Sequence, residues 1–172
     1  MFYHPVDVRL LMTDKRHKAF LQLERAVCVR RHLTQVLWTR KKGQKIIGYR
    51  SPVCHDTARA FARVFNLKAV DGEHVYVTEM DSLEHAPVCT TVMHSWVEFE
   101  VDGERFILDV LPDNVCPISP TLLRAPHPAY WIPTDPERQA LFARIQKDPD
   151  IKRGTEILVR RMKSAARRYG LL

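Results

Sequence analysis

The stretch HSWVEFEVDGERFILDV, residues 94–110, constrains the fold of this chain more than any other. Asp102 and Gly103 stand between two runs that alternate apolar and polar residues. That is the strongest short-range signal of a β-hairpin with a two-residue turn. A turn of that length pairs Val101 with Glu104 and fixes every rung behind it. Phe99 then faces Phe106, and Val97 faces Leu108; with Ser95 and Val110 they share one face. The opposite face carries Glu100 against Arg105, Glu98 against Ile107, and Trp96 against Asp109. His94 falls on that second face, a diagonal neighbour of Asp109 at roughly 7 Å or less between Cβ atoms. A turn one residue longer would place His94 and Asp109 on opposite faces.

A carboxylate that follows Phe106-Ile107-Leu108 in a strand is costly to bury unless it is paired. His94 is the partner within reach. A carboxylate that accepts a hydrogen bond from one imidazole nitrogen fixes the tautomer and leaves the other nitrogen to act as a base. Such a base needs a nucleophile, and Cys54 is the candidate. Ser51 is a good N-cap, and Pro52 suits the first helical position because its missing N–H is not needed there. In the run VCHDTARAFARVF, residues Cys54, Ala58, Phe61 and Phe65 recur as one buried helical face, and Asn66 can end the helix. A cysteine in the first turn meets the macrodipole and the free N–H groups, which favour its thiolate and can stabilise an oxyanion. Taken singly, Cys54 reads first as core packing and His94 as a capped strand end. Together with Asp109 they form the parts of an acyl-transfer site. His55 and Asp56 read as exposed first-turn residues. Trp96, opposite Asp109, is expected either to shield the His–Asp pair from water or to form a wall of the cleft. Tyr49 is a weaker candidate to line the substrate side.

Around this core the periodicity predicts a helix over about residues 13–31, capped by Thr13 or Asp14, with Phe20, Leu23 and Val27 inward. Beyond it two readings stay open: the helix continues through Leu37 to Gly43, or VLWT forms a short strand. HVYVTEM, residues 74–80, reads as a strand and 81–90 as a loop. Residues 112–136 hold seven of the eleven prolines, too many for a helix or a central strand. Tyr130 and Trp131 within them predict packing against the body. Two helices are expected at about 136–147 and 154–169, the second with Ile157, Leu158, Met162, Ala165 and Tyr169 as its apolar stripe.

At 172 residues the chain is expected to be one domain. The formal charge is +7, and residues 135–172 hold ten Lys/Arg against five Asp/Glu. That excess reads first as a solvated helix face. It also admits an acidic protein or nucleic-acid partner, although no aromatic residues interleave with the basic ones as a single-strand groove requires. No apolar run approaches the ~18 residues of a membrane span, and no signal peptide is legible, so a cytoplasmic protein is expected. The four cysteines form no C-x-x-C pair, and Cys54, His55, Cys89 and His94 match no zinc spacing. With six glycines and no phosphate-binding loop, neither cofactor nor metal is expected.

The order Cys54, His94, Asp109, with the cysteine opening a helix and the other two on successive antiparallel strands, resembles the transglutaminase-like superfamily. His-Ser-Trp-Val-Glu at 94–98 is similar to that family's His-Ala-Trp-Val-Glu pattern. The resemblance covers about residues 48–112. It implies an α+β fold with a papain-like core, in which the nucleophile helix packs on an antiparallel sheet and helices flank both ends. It implies Cys54 as nucleophile, His94 as general base then acid, and Asp109 as the residue that orients His94. The function expected is thiol-dependent hydrolysis of a peptide, protein or small amide through an acyl-enzyme. The alternatives are acyl transfer or transamidation by the same triad, or a non-catalytic module that binds an acidic partner through its basic helices.

Overall fold

The computed structural model describes residues 17–30, 32, 36–38, 48–50, 53–78, 88–111 and 120–172. Asp102 and Gly103 have φ of 53° and 81°, the positive values that a type I′ turn needs at both central positions. The turn joins β4 (Val88–Val101) to β5 (Glu104–Asp109). The register runs Val101↔Glu104, Glu100↔Arg105, Phe99↔Phe106, Glu98↔Ile107 and Val97↔Leu108, as the two-residue turn dictates. β4 also pairs along its length with β3 (Lys68–Thr78). Two short strands, β6 (Thr121–Arg124) and β7 (Tyr130–Trp131), complete a five-stranded antiparallel sheet of order β6-β5-β4-β3-β7. A separate pair joins β1 (Val36–Trp38) to β2 (Gly48–Arg50). The strand reading of VLWT therefore holds over the helical one.

Among the described residues four helices accompany the sheet, so the class is α+β: α1 (His17–Arg30), α2 (Cys54–Phe65), α3 (Pro136–Lys147) and α4 (Pro149–Arg168). Nine of the twelve residues of α2 are buried, which makes it a helix enclosed on several sides rather than a surface amphipath. Ala58, Phe61 and Phe65 join Val97, Phe106, Leu108 and Val110 of the hairpin and Leu158, Met162 and Ala165 of α4 in the main core. Asn66 ends α2 with φ 54° in the left-handed region, a conformation that asparagine tolerates better than most residues.

Several expectations shift. α1 buries Ala19, Ala26 and Val29, whereas Phe20, Leu23 and Val27 are only partly covered; small side chains bring this helix close to its neighbours, which a count of large apolar residues overlooks. α4 begins five residues before the expected Gly154, because Asp148 caps it through Asp150 N–H and Ile151 N–H while Pro149 takes the first position. Tyr169 is exposed, not part of the stripe. β3 starts at Lys68, well before His74, and β4 at Val88, inside the expected loop. The proline-rich stretch supplies β6 and β7, which occupy the two edges of the sheet, the positions where neighbouring prolines break no ladder. Thr13, Asp14, Ser51 and Pro52 lie outside the described residues. No helix among those described is long and apolar enough to cross a membrane.

Candidate active site

Alternation gives the sheet two different faces. Ile107, Trp96 and Val70 share the face away from the main core with Tyr130. His94 and Asp109 stand on that same face. β4 pairs with β5 only as far as Val97↔Leu108, so His94 lies beyond the last rung and Asp109 reaches it diagonally. His94 Nε2 donates to Asp109 Oδ2 at 2.6 Å, and both side chains are buried. Asp109 accepts two further bonds, from the Tyr130 hydroxyl at 2.8 Å on Oδ2 and from Leu111 N–H at 3.1 Å on Oδ1. Three donors on one buried carboxylate offset the cost of desolvating it. Arg30 of α1 also lies near enough to Asp109 to interact with it electrostatically.

Cys54 is the first residue of α2, after Val53 in extended conformation. The entry is held by Asp56, whose Oδ1 accepts Val53 N–H at 2.9 Å, the reciprocal half of a capping box. Asp56 is fully buried, contrary to its reading as an exposed residue, and His55 is part-buried; the helix starts beneath the sheet's end and not at the surface. The imidazoles of both His94 and His55 lie near enough to the Cys54 thiol to favour its charged form. Since Nε2 of His94 is committed to Asp109, Nδ1 is the nitrogen left for sulfur.

Burial alone pushes the Cys54 thiol up. The hydrogen bonds and positive charge of His55 and His94 outweigh it and bring the thiol down to about 6. Burial likewise favours neutral His94, but the charge and hydrogen bond of Asp109, with Cys54 adding to them, raise it to about 10. Both shifts favour a thiolate beside an imidazolium over a neutral pair. The first N–H groups of α2 lack intrahelical acceptors and lie beside the sulfur, where an oxyanion would form.

Aromatic rings close the back of this site. His74, on β3, stacks at 4.3 Å between centroids on Tyr130 and at 5.3 Å on His94. Trp96 is 1% exposed, stands edge-on to Tyr130 at 5.4 Å, and donates Nε1–H to Glu98 Oε1 at 3.2 Å. Of the two roles open for Trp96, its burial fits the shield. Tyr49 lies on β2 opposite Leu37; its side chain is outside the described residues. The approach of Trp96 depends on Gly72, across the rung from His94. A Cβ at Gly72 would overlap the Trp96 ring and the Trp131 carbonyl. Sequence reasoning missed the Tyr130 hydroxyl as a partner of Asp109. Its signal was a tyrosine in a segment that had to pack, but not the edge strand that delivers it.

Among the described residues no three His, Cys, Asp or Glu side chains gather as a metal-binding group. Comparison with protein-family models, curated proteins and solved structures found no match to this chain in any of the three. The arrangement is a cysteine at a helix start, an imidazole beside it, and a buried carboxylate that fixes the imidazole. Those are the groups that form and resolve a thioester.

Proposed function

We propose that the protein is a thiol-dependent hydrolase of peptide or amide bonds, with a papain-like, transglutaminase-like core. The observation that carries this reading is the buried 2.6 Å bond between His94 Nε2 and Asp109 Oδ2 beside a cysteine that opens a helix. The Cys54 thiolate attacks the carbonyl carbon, and the oxyanion faces the first turn of α2. The His94 imidazolium gives its proton to the leaving amine as the C–N bond breaks. Neutral His94 then takes a proton from water, whose oxygen attacks the thioester, and the C–S bond breaks to return the thiolate. Asp109 stays ionised throughout and holds His94 in place. An amine in place of water would make the same site a transferase.

The test uses p-nitrophenyl acetate as an activated acyl donor, followed by intact mass and peptide mapping. The expected result is an acetyl group on Cys54 that turns over in water and is absent in Cys54→Ala. Added hydroxylamine separates the two outcomes of the thioester: preferential hydroxamate formation favours transfer over hydrolysis. A folded wild type that acquires no acetyl group at Cys54 would overturn the reading. One observation favours a binding module instead: Arg160, Lys163, Arg167 and Arg168 stand exposed along α4. That reading predicts salt-sensitive association with an acidic partner and an unreactive thiol.

A further inference from the structure

A second hydrogen-bonded chain reaches the same sulfur. It starts at Asp71 on β3, directly across the rung from Ser95 on β4. Arg59 Nη2 grips both oxygens of Asp71, at 2.8 and 2.6 Å, and Gln146 Nε2 of α3 donates to Oδ2 at 3.0 Å. The Ser95 hydroxyl donates to Asp71 Oδ1. A carboxylate only accepts, so the one proton of Ser95 is committed there. Ser95 Oγ must then accept from its other partners, His55 Nδ1 at 2.7 Å and Arg59 Nη1 at 3.4 Å. A proton therefore sits on His55 Nδ1, and Nε2 is the nitrogen with capacity for the sulfur of the preceding Cys54, whose charged form His55 favours. Arg59 also anchors the start of α2 by donating to the His55 carbonyl at 2.7 Å.

We propose that Asp71, Ser95 and His55 form a second positioning arm for the nucleophile, so that the Cys54 sulfur is held between two imidazoles, each oriented by its own carboxylate. The inference rests on the reading of Cys54 as nucleophile and deepens it. The two arms approach from opposite faces of β4, since His94 and Ser95 are consecutive residues and point to opposite sides. His94 answers to Asp109 directly, and His55 answers to Asp71 through a hydroxyl. When Nε2 of His55 carries a proton it donates to the thiolate, and Asp71 balances the added charge through Ser95. The sulfur then has two fixed donors, and its direction of attack is set by both.

The experiment is the rate of Cys54 alkylation by iodoacetamide against pH, mapped by peptide mass, in wild type, His94→Ala, His55→Gln and Ser95→Ala. Far-UV circular dichroism and thermal melting report the fold of each. The expected wild-type midpoint lies well below the ~8.5 of a free thiol. His55→Gln raises it by about one pH unit, about tenfold in rate on the acid side. Ser95→Ala, which leaves the ring in place but cuts its link to Asp71, moves the midpoint the same way by less. A role in packing alone would lower the melting temperature and leave the midpoint of the native protein where it was. Should His55→Gln superimpose on wild type while His94→Ala raises the midpoint, the second arm falls and the triad stands. A wild type that titrates like a free thiol would overturn both.

Discussion

The two faces of the β4–β5 hairpin are built from alternate residues of the same strands, yet at Leu108 and Asp109 they hold opposite chemistry. Leu108 and Asp109 are neighbours, and both are 0% exposed. Leu108 meets Val97 across the rung and the helices beyond it. Asp109 meets His94, Tyr130 and a backbone N–H. Around Leu108 the first face stabilises through apolar area, and the polar contacts of Ser95 lie further along β4. The second stabilises only if every polar group finds its partner, because the penalty for a buried orphan exceeds the gain from a single bond. Depth of burial is therefore no guide to which side of a sheet carries a candidate site. The density of mutually dependent polar contacts is the better one.

The largest effect should come from the polar face. His94→Ala is expected to slow acylation of Cys54 by about 10²–10⁴-fold, measured as nitrophenolate release in the first turnover. The pH dependence follows from the same pair. Below about 6 the thiolate takes up a proton and alkylation fades; above about 10 His94 loses its proton. Alkylation should thus rise to a plateau, whereas turnover of an amide, which needs the acid, should fall again at the alkaline end.

Leu108→Ala tests the apolar face. It should cost about 2–5 kcal/mol in denaturant unfolding and leave the alkylation midpoint of the native protein unchanged. A shifted midpoint in this variant would break the division between the faces. Gly72→Ala sits where the division is narrowest. Its new methyl group displaces Trp96 or β7 and should cost about 1–3 kcal/mol, with a slower acylation because Tyr130 moves with β7. Stability lost with no change in acylation would sharpen the comparison, by showing that Asp109 is held without Tyr130. The smallest effect is expected from Arg63→Ala. Its bond to Glu156 at 2.5 Å joins two exposed side chains, and removing it should alter stability by less than about 0.5 kcal/mol.

The legible part of this molecule is the part governed by strict periodicity. The hairpin register followed from one dipeptide, and with it the meeting of His94 and Asp109. The helix carrying Cys54 followed from its repeat of apolar residues. What escaped depends on contacts between distant elements. Asp71-Gly72 is the same dipeptide as Asp102-Gly103, yet it lies inside β3. There the glycine admits the Trp96 ring and the Trp131 carbonyl, and the aspartate anchors Arg59. Nothing local separates that use from a turn. Tyr130 was hidden for the opposite reason: the prolines around it obscure a strand of two residues whose place at the edge is set by β3. His55 looked like a surface residue because a helix start is usually wet, and only Ser95, forty positions away, shows otherwise.

The order of the parts along the chain has a consequence for synthesis. α2 is enclosed by the sheet on one side and by α4 on another, and α4 follows all three of Cys54, His94 and Asp109 in the chain. Asp109 receives its tyrosine only from residue 130. A growing chain that has released Cys54, His94 and Asp109 from the ribosome still lacks the cover of the helix that carries Cys54 and one donor to the Asp109 carboxylate. Domains fold as units once enough of the chain is out, so the surroundings that pull the Cys54 thiol down close around it only after α4 has emerged, and until then the nascent polypeptide carries an ordinary thiol.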